Sequence, residues 1–539
     1  MSKVAEYLQE HIAGEISSQP TVLDAMSHDA SILEIRPEMV IYPRVTSDIR
    51  KVARFSWQLA EKGHTLPLTA RGGGTDTTGA AIGKGIVINS SAHMNAILEF
   101  DPKQKLIRVQ PGLSAKGLND ALALHGMSIP ALPPLTTSTI GGAVANNSYG
   151  MLSGQFGDMH TWTHQLEVVL ANGDVLQTER ISKRELSRRK GLQTFEGEIY
   201  RTIDNLIEDN QQLITEKLTD NYDASGYSAI ARVKQRDGSF DLTPLFIGSQ
   251  GTLGIISEMI VRADFVGSAM AVAAAAFPSK EIARDTLDQL KKFEPALLDY
   301  IDGEFYEAAA ARGKKYSFCR DITVGAVIVI GFADFSERAR RKKLKKIEKY
   351  LSQVEASFEL ADGNDAELLL AAREATFFTA LPNQTGASTP PLFDGAYVPP
   401  ERFEDFSRAV ASLATKYHVA LPLHLNALDN LIYTRPILQL HKVSEKQKVI
   451  KLIDEFTALV TNSNGCLVAQ GGEGRVKAKF ALESLDEDVK ELFAAIKTTF
   501  DPYNTLNPGV KQPVDVRQLA NQFRKDYDSA AFANQTPLI

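Results

Sequence analysis

Between Thr46 and Gly63, apolar and small residues recur with the period of a helix. Ile49, Val52, Ala53, Ser56, Leu59 and Ala60 share one stripe of TSDIRKVARFSWQLAEKG, with Ser47 available as a cap and Gly63 as a stop. The extended run TLPLTA follows and opens into the glycine-rich loop RGGGTDTTGAAIG. Beyond it the period shortens to two. GIVINSS reads as a strand, and KLIRVQPG alternates Leu106, Arg108 and Gln110 against Ile107 and Val109. SAKGLNDALALHG predicts a short helix stopped at Gly126, and LEVVLANGDVLQTE predicts two strands turning at Asn172-Gly173. PLFIGSQGTLGIISEMIVR reads as a glycine-interrupted strand region, so the first 265 residues have an α+β pattern. Near Asp264 the pattern changes. Helices then alternate with strands such as GAVIVIGFADF, and SERARRKKLKKIEKYL predicts a basic helix with a solvated face. After about residue 460 come NGCLVAQGGEGRVK, a helix through LFAAIKTTF and the turn-rich DPYNTLNPGVK.

A chain of 539 residues is expected to form two or three domains. With 44% hydrophobic and 23% charged residues and a net charge of -7, it lacks the basic surface on which non-specific nucleic-acid binding relies. Two cysteines, Cys319 and Cys466, far apart in sequence, argue against a disulfide framework, an iron-sulfur cluster or a thiolate zinc site. The N-terminus carries charges where a signal peptide needs an apolar core, and the longest apolar run, AMAVAAAAF, falls short of the roughly 20 residues that span a bilayer. The expectation is a cytoplasmic protein, with a location peripheral to a membrane left open.

Adjacent glycines let backbone N–H groups converge on an anion without interference from Cβ atoms. Two familiar phosphate loops fail the spacing: Thr77 stands where a dinucleotide fingerprint needs its last glycine, and Gly85 stands where a Walker loop needs a hydroxyl. A second cluster, PPLTTSTIGGAVANNSYG, repeats the chemistry of the first with hydroxyls, Gly141-Gly142, Asn146 and Asn147. A third, GSQGTLGI, adds Gly251 and Gly254. Two such loops could wrap a diphosphate from opposite sides while the third offers backbone to a ring system.

In order along the chain, RGGGTDTTGAAI, PGLSAKGLNDALALHG, TIGGAVANNSYG, LEVVLANGDV, GSQGTLGIISE and NTLNPGVK resemble the motifs of the FAD-binding family typified by vanillyl-alcohol oxidase and p-cresol methylhydroxylase. The branch resembled is that of D-lactate dehydrogenases, glycolate oxidase subunits and D-2-hydroxyglutarate dehydrogenase. The resemblance implies an α+β fold: lead-in helices over residues 1–36, a two-subdomain FAD-binding domain of the p-cresol methylhydroxylase type over 37–265, a ferredoxin-like cap over 266–460 and a returning C-terminal helical segment over 461–539. It places Arg71, Gly72, Gly73, Gly74, Thr75, Asp76 and Gly79 in the pyrophosphate loop, with Thr139, Gly141, Gly142, Asn146 and Gly150 opposite. Gly251, Gly254, Ile255 and Ile256 would run along the flavin and adenine, and Asn507 would sit near the flavin ring. Some relatives attach FAD through a histidine directly after the glycines; here that neighbourhood is Thr75-Asp76-Thr77-Thr78, so non-covalent FAD is expected.

The same resemblance points to Arg373, in AAREATFF, as a binder of substrate carboxylate and to His424, in His424-x-Asn426, as a base. The family's upstream histidine is replaced by Tyr417, with His418 out of register, and its Glu-His pair by Gln470 and Gly471. No metal ligand set is therefore carried over. Glu473 reads as a solvated loop residue, His160 and His164 as structural, Arg435 as a second anion binder, and Lys511 as a possible contact to flavin or substrate. The expected activity is FAD-dependent oxidation of a small D-2-hydroxy acid. Alternatives are an FAD-binding subunit serving a separate iron-sulfur partner, or oxidation of an uncharged alcohol or sugar. A separate electron acceptor and a homodimer are compatible with either.

Overall fold

The structure is a computed structural model that describes residues 3–524 and 527, apart from 134, 220, 267–268, 312, 321 and 378–388. The expected C-terminal segment 461–539 runs beyond them.

Strands Met39–Tyr42 and Leu68–Arg71 lie parallel on either side of Ile86–Asn89, and the predicted helix, Thr46–Glu61, connects them. Its stripe buries Ile49, Val52, Ala53 and Ser56. The cap differs from expectation. Val45 occupies the N-cap position without a side-chain bond, and the Asp48 carboxylate accepts instead from the N–H groups of Ala13, Gly14 and Arg44 at 2.8–3.0 Å. The lead-in segment is not purely helical. Glu15–Ser17 adds an antiparallel strand to the edge of this sheet beside Met39–Tyr42.

A second, antiparallel sheet runs in the order Ile97–Asp101, Leu106–Val109, Ile255–Arg262, Thr163–Val169, Val175–Gln177. The turn at Asn172-Gly173 joins its last two strands, with Gly173 at φ 84°. The predicted strand through PLFIGSQG is in part a helical turn, Thr243–Phe246. Pro244 favours that turn, and positive φ at Gly248, Gln250 and Gly251 delays extension until Ile255. Helix Glu487–Phe500 packs into the core of this sheet through Val489, Leu492, Phe493, Ile496 and Phe500.

The region from Met270 onward contains a seven-stranded antiparallel sheet. Four of its strands, in the order Ser357–Asp362, Met270–Phe277, Ala326–Ala333, Leu297–Asp302, form with helices Lys280–Lys291 and Glu337–Leu351 the β-α-β-β-α-β arrangement of a ferredoxin-like unit. Strands His424–Asn426, Leu431–Tyr433 and Ala396–Tyr397 extend it. Alternation along the strands separates two cores. Leu298, Tyr300, Ile328 and Ile330 pack under the two helices, while Leu297, Ile301, Val327 and Val329 face helix Gly303–Ala311 and the turn at 371–377. No helix among the described residues is long and apolar enough to cross a membrane.

Candidate flavin cleft and cap wall

The glycine run leaves the carboxyl end of the parallel strand Leu68–Arg71, where ligands of open α/β sheets bind. The second loop closes on it. A Cβ on Gly72 would stand 2.0 Å from Thr139 Oγ1, and one on Gly73 would stand 1.7 Å from the Thr137 carbonyl oxygen. Thr139 caps helix Ile140–Ala145 by accepting from the Gly142 N–H at 3.2 Å, and the Thr75 and Ser138 hydroxyls meet at 3.1 Å. These loops and the Gly251–Ile256 segment enclose a cleft of roughly 1530 Å³ including its open mouth. Every residue expected to hold the cofactor lines it except Gly79, Gly150 and Asn507.

Those three act one layer out. A Cβ on Gly150 would stand 1.6 Å from the Pro130 carbonyl oxygen, and one on Gly79 would meet Leu33 at 2.7 Å. Asn507 is buried, donates through Nδ2 to the carbonyls of Ala80 and Gln250 at 2.8 Å, and accepts at Oδ1 from Arg475. It ties the first loop to the third. Asp76, although it lines the cleft, spends its carboxylate on the loop, accepting from Thr78 N, Ala80 N and Asn146 Nδ2 at 2.7–3.0 Å. Arg71 is the cation of the cleft floor; its Nη1 donates to the Ala81 carbonyl, and burial lowers its pKa against the nearby Asp29, Tyr42 and Asp76. A narrow cleft walled by glycine backbone and one buried guanidinium suits a dinucleotide diphosphate.

Asp29 carries no signal in the sequence, yet it lies beneath this loop. It accepts from the Ser31 N–H and hydroxyl, and its Oδ2 lies 3.4 Å from Ala81 N. Burial, and next the Asp76 charge, push its carboxyl from 3.8 to about 7. A raised acid holds its proton more tightly when folded, so this contribution to stability is complete below about pH 4 and is lost as pH rises through about 7. Asp29→Asn removes the ionisation. Its melting temperature should hold between about pH 4 and pH 7, where that of the parent falls; parallel melting curves across that window would refute the assignment.

Where the cap meets the cleft, Tyr433, Asp394, Gln470 and Gly471 form the wall. The Tyr433 hydroxyl donates to Gln470 Oε1 at 2.5 Å, and its ring stacks on His424 with centroids 5.0 Å apart. Beyond this stack, His424 Nε2 lies 3.5 Å from Asp299 Oδ1, and Asp299 Oδ2 accepts from Arg373 Nε. Burial raises the fully enclosed Asp299 carboxyl, but Arg373 and His424 outweigh it and hold it below its ordinary value. The structure thus joins His424 and Arg373 through an aspartate, with Tyr433 standing between His424 and the cleft; neither His424 nor Arg373 lines the cleft itself.

The readings of Arg435, Glu473 and Lys511 need correction. Arg435 is committed to Asp394, donating from Nε and Nη2 at 3.0 and 2.7 Å. Glu473 is buried rather than solvated, and it pairs at 2.5 Å with Lys511, which also lies outside the cleft lining. Tyr417, at the end of helix Phe403–Tyr417, donates to Glu455. Burial lowers the His160 pKa to about 4, and His164 Nδ1 lies 3.2 Å from Arg262 Nη2. Among the described residues, no three His, Cys, Asp or Glu side chains converge as a metal site. Asp299 and Tyr433 were missed. A lone carboxylate inside LLDYID, a strand buried at every position, was the available signal, because such a charge needs a cation beside it.

Fold and cleft together define an FAD-binding protein of the two-domain, capped kind. An FAD binding domain matches residues 37–179, and the C-terminal domain of FAD linked oxidases matches residues 267–510. The chain thus carries both the FAD binding domain and the C-terminal domain of FAD linked oxidases. It is 26% identical over 505 residues to the D-2-hydroxyglutarate dehydrogenase of Pantoea ananatis, covering 90% of this chain and 49% of that one. It spans about half the length of the D-2-hydroxyglutarate dehydrogenases it matches. The glycolate oxidase subunit GlcD of Bacillus subtilis is 24% identical, with 89% of this chain and 90% of that one covered. The D-lactate dehydrogenase of Archaeoglobus fulgidus is 26% identical, with 87% and 90% covered. Among solved structures, 4-ethylphenol oxidase from Gulosibacter chungangensis shares the fold, with a TM-score of 0.67 at 16% identity over 96% of this chain and 98% of that one.

Proposed function

We propose that this chain oxidises a small 2-hydroxy acid of the D series. The observation that carries this reading is the state of Arg373. Its Nε is held by the buried Asp299, while its two Nη groups have no protein partner among the described residues and its side chain keeps 24% exposure. A guanidinium anchored at one edge and open at the other suits a carboxylate taken bidentately. The relatives named for D-2-hydroxyglutarate, D-lactate and glycolate share a hydroxyl next to a carboxylate, which fits such an anchor. FAD, when bound, supplies the hydride acceptor. Arg373 takes the substrate carboxylate, Asp299 fixes its orientation, and His424 accepts the hydroxyl proton beside the Tyr433 ring.

Anaerobic mixing with a panel of D- and L-hydroxy acids, alcohols and sugars tests this. One D-hydroxy acid should bleach the flavin, and His424→Ala should slow that bleaching by about a hundredfold or more. Gln470 and Gly471 in the cleft wall favour a second reading, an FAD-binding subunit that passes electrons to a separate iron-sulfur protein. Stable flavin bleached by none of the panel would select it. With Thr75-Asp76-Thr77-Thr78 after the glycines and no histidine among them, acid precipitation should leave the yellow flavin in the supernatant; flavin remaining on the pellet would show a covalent link.

A further inference from the structure

Helix Glu337–Leu351 carries eight basic and two acidic side chains within a chain whose net charge is -7. Two of the basic residues are accounted for: Arg340 is buried against Asp362, and Arg341 pairs with Glu337. Arg338, Lys342, Lys345 and Lys349, spaced four, three and four residues apart, share one face, with Lys346 on its flank. All five are exposed, and none forms an ion pair among the described residues. The neighbouring helix Lys280–Lys291 exposes Glu281, Asp285 and Asp288, but none of these reaches the stripe; Asp288 pairs with Lys291. At the amino end of the helix, Phe335 is 64% exposed.

We infer that this face docks on an anionic lipid surface. Five unpaired cations on one stripe select a polyanion by charge, and an exposed aromatic at its end suits the headgroup boundary. Its place in the fold favours lipid over a redox protein. Ile347 and Leu351 pack on the sheet face that carries Leu298 and Tyr300, whereas Asp299, His424 and Arg373 belong to the opposite face. The helix lies over Met270–Phe277 and Ser357–Asp362, about three strand spacings, or ~14 Å, from His424–Asn426 in the sheet. An electron carrier seated there would have a sheet between itself and the cleft, while a membrane anchor there leaves the cleft free.

The test is co-sedimentation of the full flavin-loaded chain with vesicles of phosphatidylcholine alone and of phosphatidylcholine mixed with phosphatidylglycerol. Binding is expected only to the mixed vesicles and should weaken as salt rises. At about fivefold per cation, Lys342→Gln, Lys345→Gln and Lys349→Gln together should weaken it by about a hundredfold, with flavin content and melting temperature unchanged. Removing the same charge at the scattered exposed Lys62, Lys84 and Lys103 should leave it within a fewfold of the parent. The inference is overturned if the parent ignores the anionic vesicles, if the stripe variant sediments as the parent does, or if the scattered variant loses as much. Stripe-dependent capture of an acidic protein without vesicle binding would likewise overturn it, in favour of a protein partner. None of these outcomes depends on which substrate the cleft accepts.

Discussion

Gly73→Ala should yield a folded chain that has lost most of its affinity for FAD. The new methyl would stand 1.7 Å from the Thr137 carbonyl oxygen and 2.7 Å from its carbon, and backbone atoms cannot swing aside as a long side chain can. The two loops must separate, and their separation opens the diphosphate clamp rather than the hydrophobic core. Overpacking of this kind costs about 1–3 kcal/mol, and a clash with backbone belongs at the upper end. Loss of about a hundredfold in FAD affinity, read by flavin release on dilution, is the expected result. Gly117→Ala is the counterpart. There the added Cβ meets only Ser114, at 3.5 Å, inside helix Ala115–Ala123, so stability should rise by up to about 1 kcal/mol with flavin unaffected. Equal behaviour of the two variants would show that the contact between the loops does not matter for binding.

That contrast also shows which parts of the molecule were legible in the chain. Glycine loops and hairpins are local events, so Gly72–Gly74 and Asn172-Gly173 announce themselves in a few residues. The helix stripe from Ile49 and the alternation at Leu106–Val109 likewise report the face each element buries. Partnerships across the fold leave no such trace. Asp29 is 52 residues from Ala81, and Asp299 is 74 residues from Arg373, so the charges that decide their chemistry are supplied by topology alone. The strand predicted at PLFIGSQG failed for a related reason. Its apolar residues suit either a turn of helix or a strand, and the positive φ of Gly248, Gln250 and Gly251 settles the choice. The cap wall was the least legible part. Tyr433 reaches the cleft only because Leu431–Tyr433 pairs beside His424–Asn426, a register that no short motif encodes.

Arg373→Met is expected to damage the protein in two separable ways. Asp299 has no solvent exposure, and its carboxyl is held below its ordinary value by Arg373 and His424. Removing the guanidinium leaves a buried charge short of its main partner, a change that costs about 3–5 kcal/mol. The pH dependence identifies the cause. A depressed acid contributes stability above its unfolded pKa and loses it as pH falls through the folded one, so the variant's deficit should be greatest near neutrality and shrink as acid protonates Asp299. Adding Asp299→Asn should restore most of the melting temperature, because the neutral pair no longer needs a cation. The proposed carboxylate anchor would still be missing. A charged hydrogen bond is worth about 1.5–3 kcal/mol, so flavin reduction by the hydroxy acid should stay about tenfold to a hundredfold below the parent in kcat/KM in both variants. If the double variant recovers reduction together with stability, Arg373 supports the wall and does not hold the substrate. If the single variant melts like the parent, the charge on Asp299 is satisfied by His424 alone. Stability restored without activity is the outcome that assigns Arg373 both roles, one toward Asp299 through Nε and one toward the substrate through its open Nη edge.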